Sequence, residues 1–511
     1  MPGKTSKGRR VSDAQYARRT RRLRAALLEA QAALRRSRAA AVVMIVTGAP
    51  SAGRSELMNE LLGWLDPKFV TVHAPGAPDR YERQRPPMWR YWRAIPARGR
   101  VAFQFSGWYQ EPMNPRSAAA GRDRERFFAR IRQLETMLSR DGVRVLKIHL
   151  HVDARTQRRR LAHLRADEAT RWRVTREDRW LAQHYPAVKR VADRCIQATQ
   201  QPCAPWHLID ASDETHRLLA AGALLRDALR GTLRGGRRGA PRDANTALSG
   251  ASARSSPSPV SRDPQIATGR ARAVVVPMQA RQVRPERLAK REYRRELEAL
   301  QGRLALLVRR RRFRRHALVL VFEGIDAAGK GGAIRRVTRA LDARQYQVVP
   351  VSAPSAQERE YPYLWRFWRD IPRLDRIAIF DRSWYGRVLV ERVRGYTPAE
   401  DWRRAYEEIR ELERQLTEHG VAIAKFWIDV SKAEQLRRLQ ARNDDPLKRF
   451  KVDPEDWVNR RYYDEYQSAA AEMLQRTDTP QARWTVVAGD DKRRARLSVL
   501  ARACEALESL R

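Results

Sequence analysis

Phe322-Glu323-Gly324-Ile325-Asp326-Ala327-Ala328-Gly329-Lys330-Gly331-Gly332 follows the apolar run Ala317 to Val321 and leads into the helical pattern Ala333-Ile334-Arg335-Arg336-Val337. A strand, a glycine-rich turn and a helix start are what a phosphate-cradling loop requires. Glycines let backbone N–H groups turn inward, and the helix N-terminus adds positive potential. The spacing fits Gly-x4-Gly-Lys, which places Lys330 to reach terminal phosphates. At the next position the usual Ser or Thr is Gly331, so the hydroxyl that helps hold Mg²⁺ is missing. Asp326, inside the loop, is the nearest acid that can compensate. The competing reading, a chance glycine-rich turn, leaves the flanking strand and helix unexplained.

Working outward, alternating strand-like and helical patterns follow the loop. Strands are expected at Gln347 to Val351, Arg376 to Phe380, Val421 to Ile428 and Trp484 to Val487, with helices at Glu400 to His419 and Lys432 to Arg442. Such alternation predicts an α/β fold, a parallel sheet covered by helices on both faces. Arg376 to Phe380 ends on Asp381-Arg382-Ser383-Trp384-Tyr385. An acid at the end of a strand beside a phosphate loop is where Mg²⁺ is usually held. Arg382 beside it suits charge on a transferring phosphoryl group; a surface Asp-Arg pair is the plainer alternative. Arg438 and Arg442 share a helical face ahead of Asn443-Asp444-Asp445-Pro446-Leu447-Lys448-Arg449-Phe450-Lys451, which reads as a mobile basic lid.

The same plan occurs earlier in the chain. Val42 to Val46 runs into Thr47-Gly48-Ala49-Pro50-Ser51-Ala52-Gly53-Arg54-Ser55, again Gly-x4-Gly. A constant 276 positions separate Gly48 from Gly324, Trp89 from Trp365 and Trp108 from Trp384; 278 separate Gly142 from Gly420, Lys147 from Lys425 and Trp206 from Trp484. The chain is therefore read as a tandem duplication. At the positions of Asp326, Lys330, Asp381, Arg382 and Arg442 the front copy has Pro50, Arg54, Phe105, Ser106 and Leu164. The front copy is expected to keep the scaffold and lack the chemistry, although Arg54 retains the ability to hold a phosphate. Expected boundaries are a disordered basic tail over 1–14, the silent copy over 15–230, a flexible Gly/Arg/Ser/Pro-rich linker over 231–284 and the active copy over 285–511.

With 103 Lys plus Arg against 59 Asp plus Glu, the formal net charge is +44. That charge favours a polyanionic partner: nucleic acid, an anionic membrane surface or a phosphate polymer. Three cysteines, Cys195, Cys203 and Cys504, form no CxxC spacing, so neither a zinc site nor a disulfide framework is indicated and a cytoplasmic location is expected. No apolar run approaches a membrane span, and no signal core follows the basic start. The chain reads as soluble, with no membrane partner.

The loop GIDAAGKGG at 324–332, FDRSWY at 380–385, VER at 390–392 and DDPLKRFK at 444–451 resemble the polyphosphate kinase 2 family. The duplicated layout with a degenerate first half resembles its two-domain class, the polyphosphate:AMP phosphotransferases. The resemblance implies two tandem thymidylate-kinase-like P-loop domains, each three-layered with a helical lid, moving a phosphoryl group from inorganic polyphosphate to AMP. It implies catalytic roles for Asp326, Lys330, Asp381, Arg382 and Arg442, and Mg²⁺ (or Mn²⁺) on Asp326 and Asp381. It also implies phosphate or nucleotide binding at Gly324, Gly329, Gly331, Gly332, Arg387, Glu391, Arg438 and Lys448. A homo-oligomer such as a dimer is compatible with it. Phosphorylation of ADP or GDP is the close rival. An ATP-dependent nucleoside monophosphate kinase is another, against which Gly331 speaks. A nucleic-acid-binding protein is a third, its Trp89, Trp92, Trp365 and Trp368 stacking on bases; their recurrence in both copies favours core packing instead.

Overall fold

Two five-stranded parallel sheets carry the chain in the computed structural model, which describes residues 12–49, 51–116, 122–168, 171, 174–235, 288–444 and 454–510. The described residues form two compact units. One holds those of Met1–Ala240 together with Ala353–Arg369, the other those of Pro241–Ser352 together with Asp370–Arg511.

The first sheet comprises β1 (Ala41–Gly48), β2 (Val70–His73), β3 (Val101–Phe105), β4 (Val143–His151) and β5 (Trp206–Asp210), in the order β2-β3-β1-β4-β5. The second comprises β6 (Ala317–Gly324), β7 (Tyr346–Pro350), β8 (Ile377–Asp381), β9 (Val421–Asp429) and β10 (Trp484–Ala488), in the order β10-β9-β6-β8-β7. Read from the opposite edge, this is the same order, so the duplication extends to topology. All nine residues of β9 are buried, as a central parallel strand covered on both faces requires. Each expected strand lies within two residues of its predicted ends except β6, which runs three residues past Val321.

Both copies also share backbone strain. Ala327 and Arg382 adopt φ of 64° and 65°, and the corresponding Ser51 and Ser106 adopt 61° and 58°. Left-handed backbone at a non-glycine residue costs on the order of 1–3 kcal/mol and collects at functional sites. The front copy keeps this geometry although its acids are gone.

Helix Asp13–Ser37 takes in the last two residues of the expected tail, because Ser12 accepts a hydrogen bond from Gln15 N as its cap. Helix Glu214–Gly235 runs past the expected boundary at 230. The linker beyond residue 235 lies outside the described residues.

The tryptophan pairs are packing positions. Trp89, Trp92 and Trp368 are buried, and Trp92 stacks on Trp368 with centroids 5.9 Å apart within the first unit. In that unit Arg98 N also donates to Glu360 O (2.8 Å) and Tyr363 N to the Asp141 carboxylate (3.0 Å).

Candidate active site

In the second copy, parallel pairing sets Phe322 opposite Asp381, so the loop after β6 and the end of β8 emerge side by side. Gly324 has φ 139°, and a Cβ there would lie 2.3 Å from Ile428 O; only glycine lets the strand leave the sheet this closely. Helix Lys330–Thr338 starts directly from the loop, with Gly329 as its N-cap at φ 114°. A Cβ on Gly331 would meet nothing within 4 Å, so packing does not forbid a hydroxyl-bearing side chain there.

Four predicted residues meet at this edge. The Arg382 guanidinium lies 2.6 Å from Asp326 Oδ1, and Lys330 Nζ donates to Gly324 O (2.7 Å) and Ile325 O (3.2 Å). Burial works against ionised Asp326, but Arg382, Lys330 and a hydrogen bond from Asn459 outweigh it and hold its carboxyl below the usual range. Burial and then Arg382 push the Lys330 ammonium down, partly offset by Asp326, Asp381 and Glu323. Asp381 makes no side-chain hydrogen bond or ion pair among the described residues, which leaves its carboxylate available.

The donor set suits a hard divalent cation. Mg²⁺ binds through one or two carboxylates plus phosphate oxygens and keeps several waters. Among the described residues no cluster of three His, Cys, Asp or Glu could hold a metal by itself. Two acids that rely on substrate oxygens for the rest of the sphere match that preference.

The other predicted residues are placed differently. Arg438, expected to face phosphate beside Arg442, is buried and turned into the loop. It donates to Ala327 O (3.2 Å), Ala328 O (2.7 Å), Gly489 O (2.6 Å) and Asp490 O (3.2 Å), and pairs with Glu434. Arg160, its equivalent in the front copy, likewise donates to Ser51 O (3.0 Å), Ala211 O (2.9 Å) and Ser212 O (2.8 Å). Both arginines staple the turn to the end of the sheet. Replacing either by Met is expected to cost about 3–5 kcal/mol, because each strands buried carbonyls and packing. Turnover should fall only in Arg438→Met; urea melts and kcat of both variants check this.

Arg442, at the end of helix Lys432–Asn443, is half-buried and makes no side-chain hydrogen bond or ion pair with a described residue. Arg387 and Glu391 pair with each other at 2.7 Å, and Glu391 also accepts from Thr397 Oγ1 (2.7 Å). Lys448 lies outside the described residues.

Three groups were not singled out in the sequence. Asn459, on helix Pro454–Arg461, donates to Asp326 Oδ2 (2.8 Å) and accepts from Arg394 (2.9 Å), latching that helix over the loop. Tyr466 lines the same space, its hydroxyl pushed up by burial and then by Asp326. Glu323 is fully enclosed and accepts from Ser383 Oγ at 2.8 Å. Burial raises its carboxyl to about 7, against the pull of Ser383, Lys330 and Arg382.

A raised carboxyl stabilises the fold while protonated. The Glu323 contribution is full below its ordinary 4.5 and is lost as pH rises through about 7. Urea midpoints of the wild type should therefore fall across that window relative to Glu323→Gln. Parallel pH profiles of the two proteins would contradict this assignment.

Comparison with known proteins agrees with the geometry. The family described as Polyphosphate kinase 2 (PPK2) matches residues 10–233 and again 287–510. A polyphosphate:AMP phosphotransferase of Pseudomonas syringae pv. tomato is 38% identical over 98% of this chain and 97% of its own length. One from Pseudomonas aeruginosa is 38% identical over 95% of this chain and 94% of its own. A crystal structure described as a polyphosphate kinase 2 from Pseudomonas aeruginosa PA01 superposes with a TM-score of 0.81 at 36% identity, covering 98% of this chain and 97% of that one. With both halves matched and the relatives spanned end to end, the chain belongs to the polyphosphate kinase 2 family.

Proposed function

We propose that the second copy transfers the terminal phosphoryl group of inorganic polyphosphate to AMP, giving ADP, in the cytoplasm. The observation that carries this reading is the conjunction of Asp326, Lys330, Asp381 and Arg382 at one sheet edge in a chain whose full-length relatives are named for that reaction.

Phosphoryl transfer asks for in-line positioning and neutralisation of spreading charge rather than a covalent nucleophile. Backbone N–H groups of the loop and the start of helix Lys330–Thr338 supply the phosphate cradle, and Lys330, released from Gly324 O and Ile325 O, adds a cation. Arg382 leaves Asp326 to bind an equatorial phosphate oxygen, which frees the Asp326 carboxylate. Asp326 and Asp381 are the residues that would hold Mg²⁺, with Mn²⁺ as a substitute; the bound ion supplies charge neutralisation on phosphate oxygens. Asp381, with no side-chain partner among the described residues, is also assigned the acceptor's proton. Arg442, in the last turn of helix Lys432–Asn443, contributes a further positive charge.

The formal charge of +44 gives the long phosphate chain an electrostatic partner, so its affinity should weaken steeply with salt. Incubation with polyphosphate, Mg²⁺ and either AMP or ADP, read by nucleotide chromatography, tests the reading. ADP formed from AMP supports it. Triphosphate formed from ADP or GDP without reaction of AMP would transfer the assignment to the rival acceptor, and no product from any acceptor would refute it.

A further inference from the structure

The larger cavity belongs to the copy without the acids. About 1130 Å³ opens at the C-terminal edge of the first sheet, against about 40 Å³ at the equivalent place in the second copy. The difference follows from residue exchange. Where the second copy has Trp427, Tyr466, Arg382 and Asn459, the front copy has His149, Val188, Ser106 and Leu181. A neutral decay of chemistry would have no reason to hollow the site out, and ligand sites typically occupy about 300–1,000 Å³.

What lines the cavity defines an anion end. Arg54 takes the lysine position of the loop and opens helix Arg54–Gly63, with Nη1 donating to Ser106 Oγ at 3.1 Å. No carboxylate lies within ion-pair reach of its guanidinium among the described residues. Glu177 and Asp178 attract it from a distance, but the Asp178 carboxylate is taken by Thr175 N (2.9 Å) and Oγ1 (2.7 Å). Lys189 and Asp193 neutralise each other at 2.5 Å. Arg54 is half-buried with no paired carboxylate among the described residues, and desolvation of such a cation favours a bound anion.

Farther along the wall, His149 Nδ1 lies 2.9 Å from Thr47 Oγ1. Burial lowers this imidazole to about 4, so it is a neutral hydrogen-bonding group rather than a second cation. One anion subsite beside a neutral polar wall, with Pro50 and Phe105 where metal-holding acids would be, describes binding without turnover.

We propose that the front copy is a metal-independent binding site for a phosphate-bearing ligand of nucleotide size. The inference stands on the first unit alone and does not require the acceptor proposed for the second.

The test is equilibrium binding of tripolyphosphate, and separately of AMP, to the full chain in EDTA. Three forms are compared: wild type, Arg54→Ala, and His149→Trp, which restores the bulk found in the other copy. The expected result is one more bound equivalent, or at least tenfold tighter binding, in the wild type for at least one probe. Phosphotransferase kcat should stay within about twofold in both variants, reporting an intact fold. Loss confined to tripolyphosphate identifies a phosphate chain as the ligand, and loss confined to AMP identifies a nucleotide. Equal binding of both probes by wild type and Arg54→Ala overturns the proposal, whatever becomes of His149→Trp.

Discussion

Asp381→Ala is expected to lower kcat on the order of 10³-fold while shifting folding stability by no more than about 0.5 kcal/mol. The two halves of that expectation have one cause. Asp381 stands at the end of β8 with no side-chain partner among the described residues, so its removal breaks no contact of the fold. In the folded chain its charge acts on Lys330 and Arg382 only through space, and the proposed mechanism gives it a further use when phosphate and metal arrive. Asp326→Ala is the instructive contrast, since it also strips a partner from Arg382 and from Asn459. Steady-state turnover with polyphosphate and AMP, alongside a urea melt, checks both halves. Retained activity in Asp381→Ala would remove the acid from the mechanism.

Glu413→Ala is expected to destabilise the fold by about 3–5 kcal/mol. Lys425 Nζ is buried against Glu413 Oε2 (2.7 Å), Tyr385 Oη (2.9 Å) and Thr477 O (2.8 Å). The other Glu413 oxygen accepts from Tyr385 Oη (2.7 Å) and Trp384 Nε1 (3.2 Å). Removing the carboxylate leaves an uncompensated ammonium in the core. Because Trp384 and Tyr385 directly follow Asp381-Arg382-Ser383, the loss should also disorder the turn that aims the acid and the arginine. The front copy repeats the cluster with Glu135, Lys147, Tyr109 and Thr199. Glu135→Ala should therefore destabilise comparably and leave chemistry in the second copy alone. Denaturant unfolding of the two variants, with kcat measured on the folded protein, separates the effects.

Much of this was legible in the chain. Strand, glycine turn and helix start follow from local pattern, and parallel pairing of adjacent strands brings a loop acid and a strand-end acid together. The constant spacing of tryptophans and glycines announced two copies. Direction was not legible: Arg438 has the charge of a phosphate ligand, and only packing shows its guanidinium committed to carbonyls. Asn459 and Glu323 were missed for related reasons. An asparagine beside arginines on helix Pro454–Arg461 carries no local signature, and a glutamate inside the loop motif gives no sign that Ser383, sixty residues on, will enclose it. The emptied front cavity depends on volumes of residues far apart in sequence, which no motif records.

The excursion Ala353–Arg369 leaves β7 and returns to β8, yet it packs within the first unit, Trp368 lying face to face with Trp92. A shortened chain beginning after the linker would expose that indole, while β8 keeps its pairing with β6 and β7. Removal of the first copy is thus expected to cost solubility before it costs the sheet that carries Asp381.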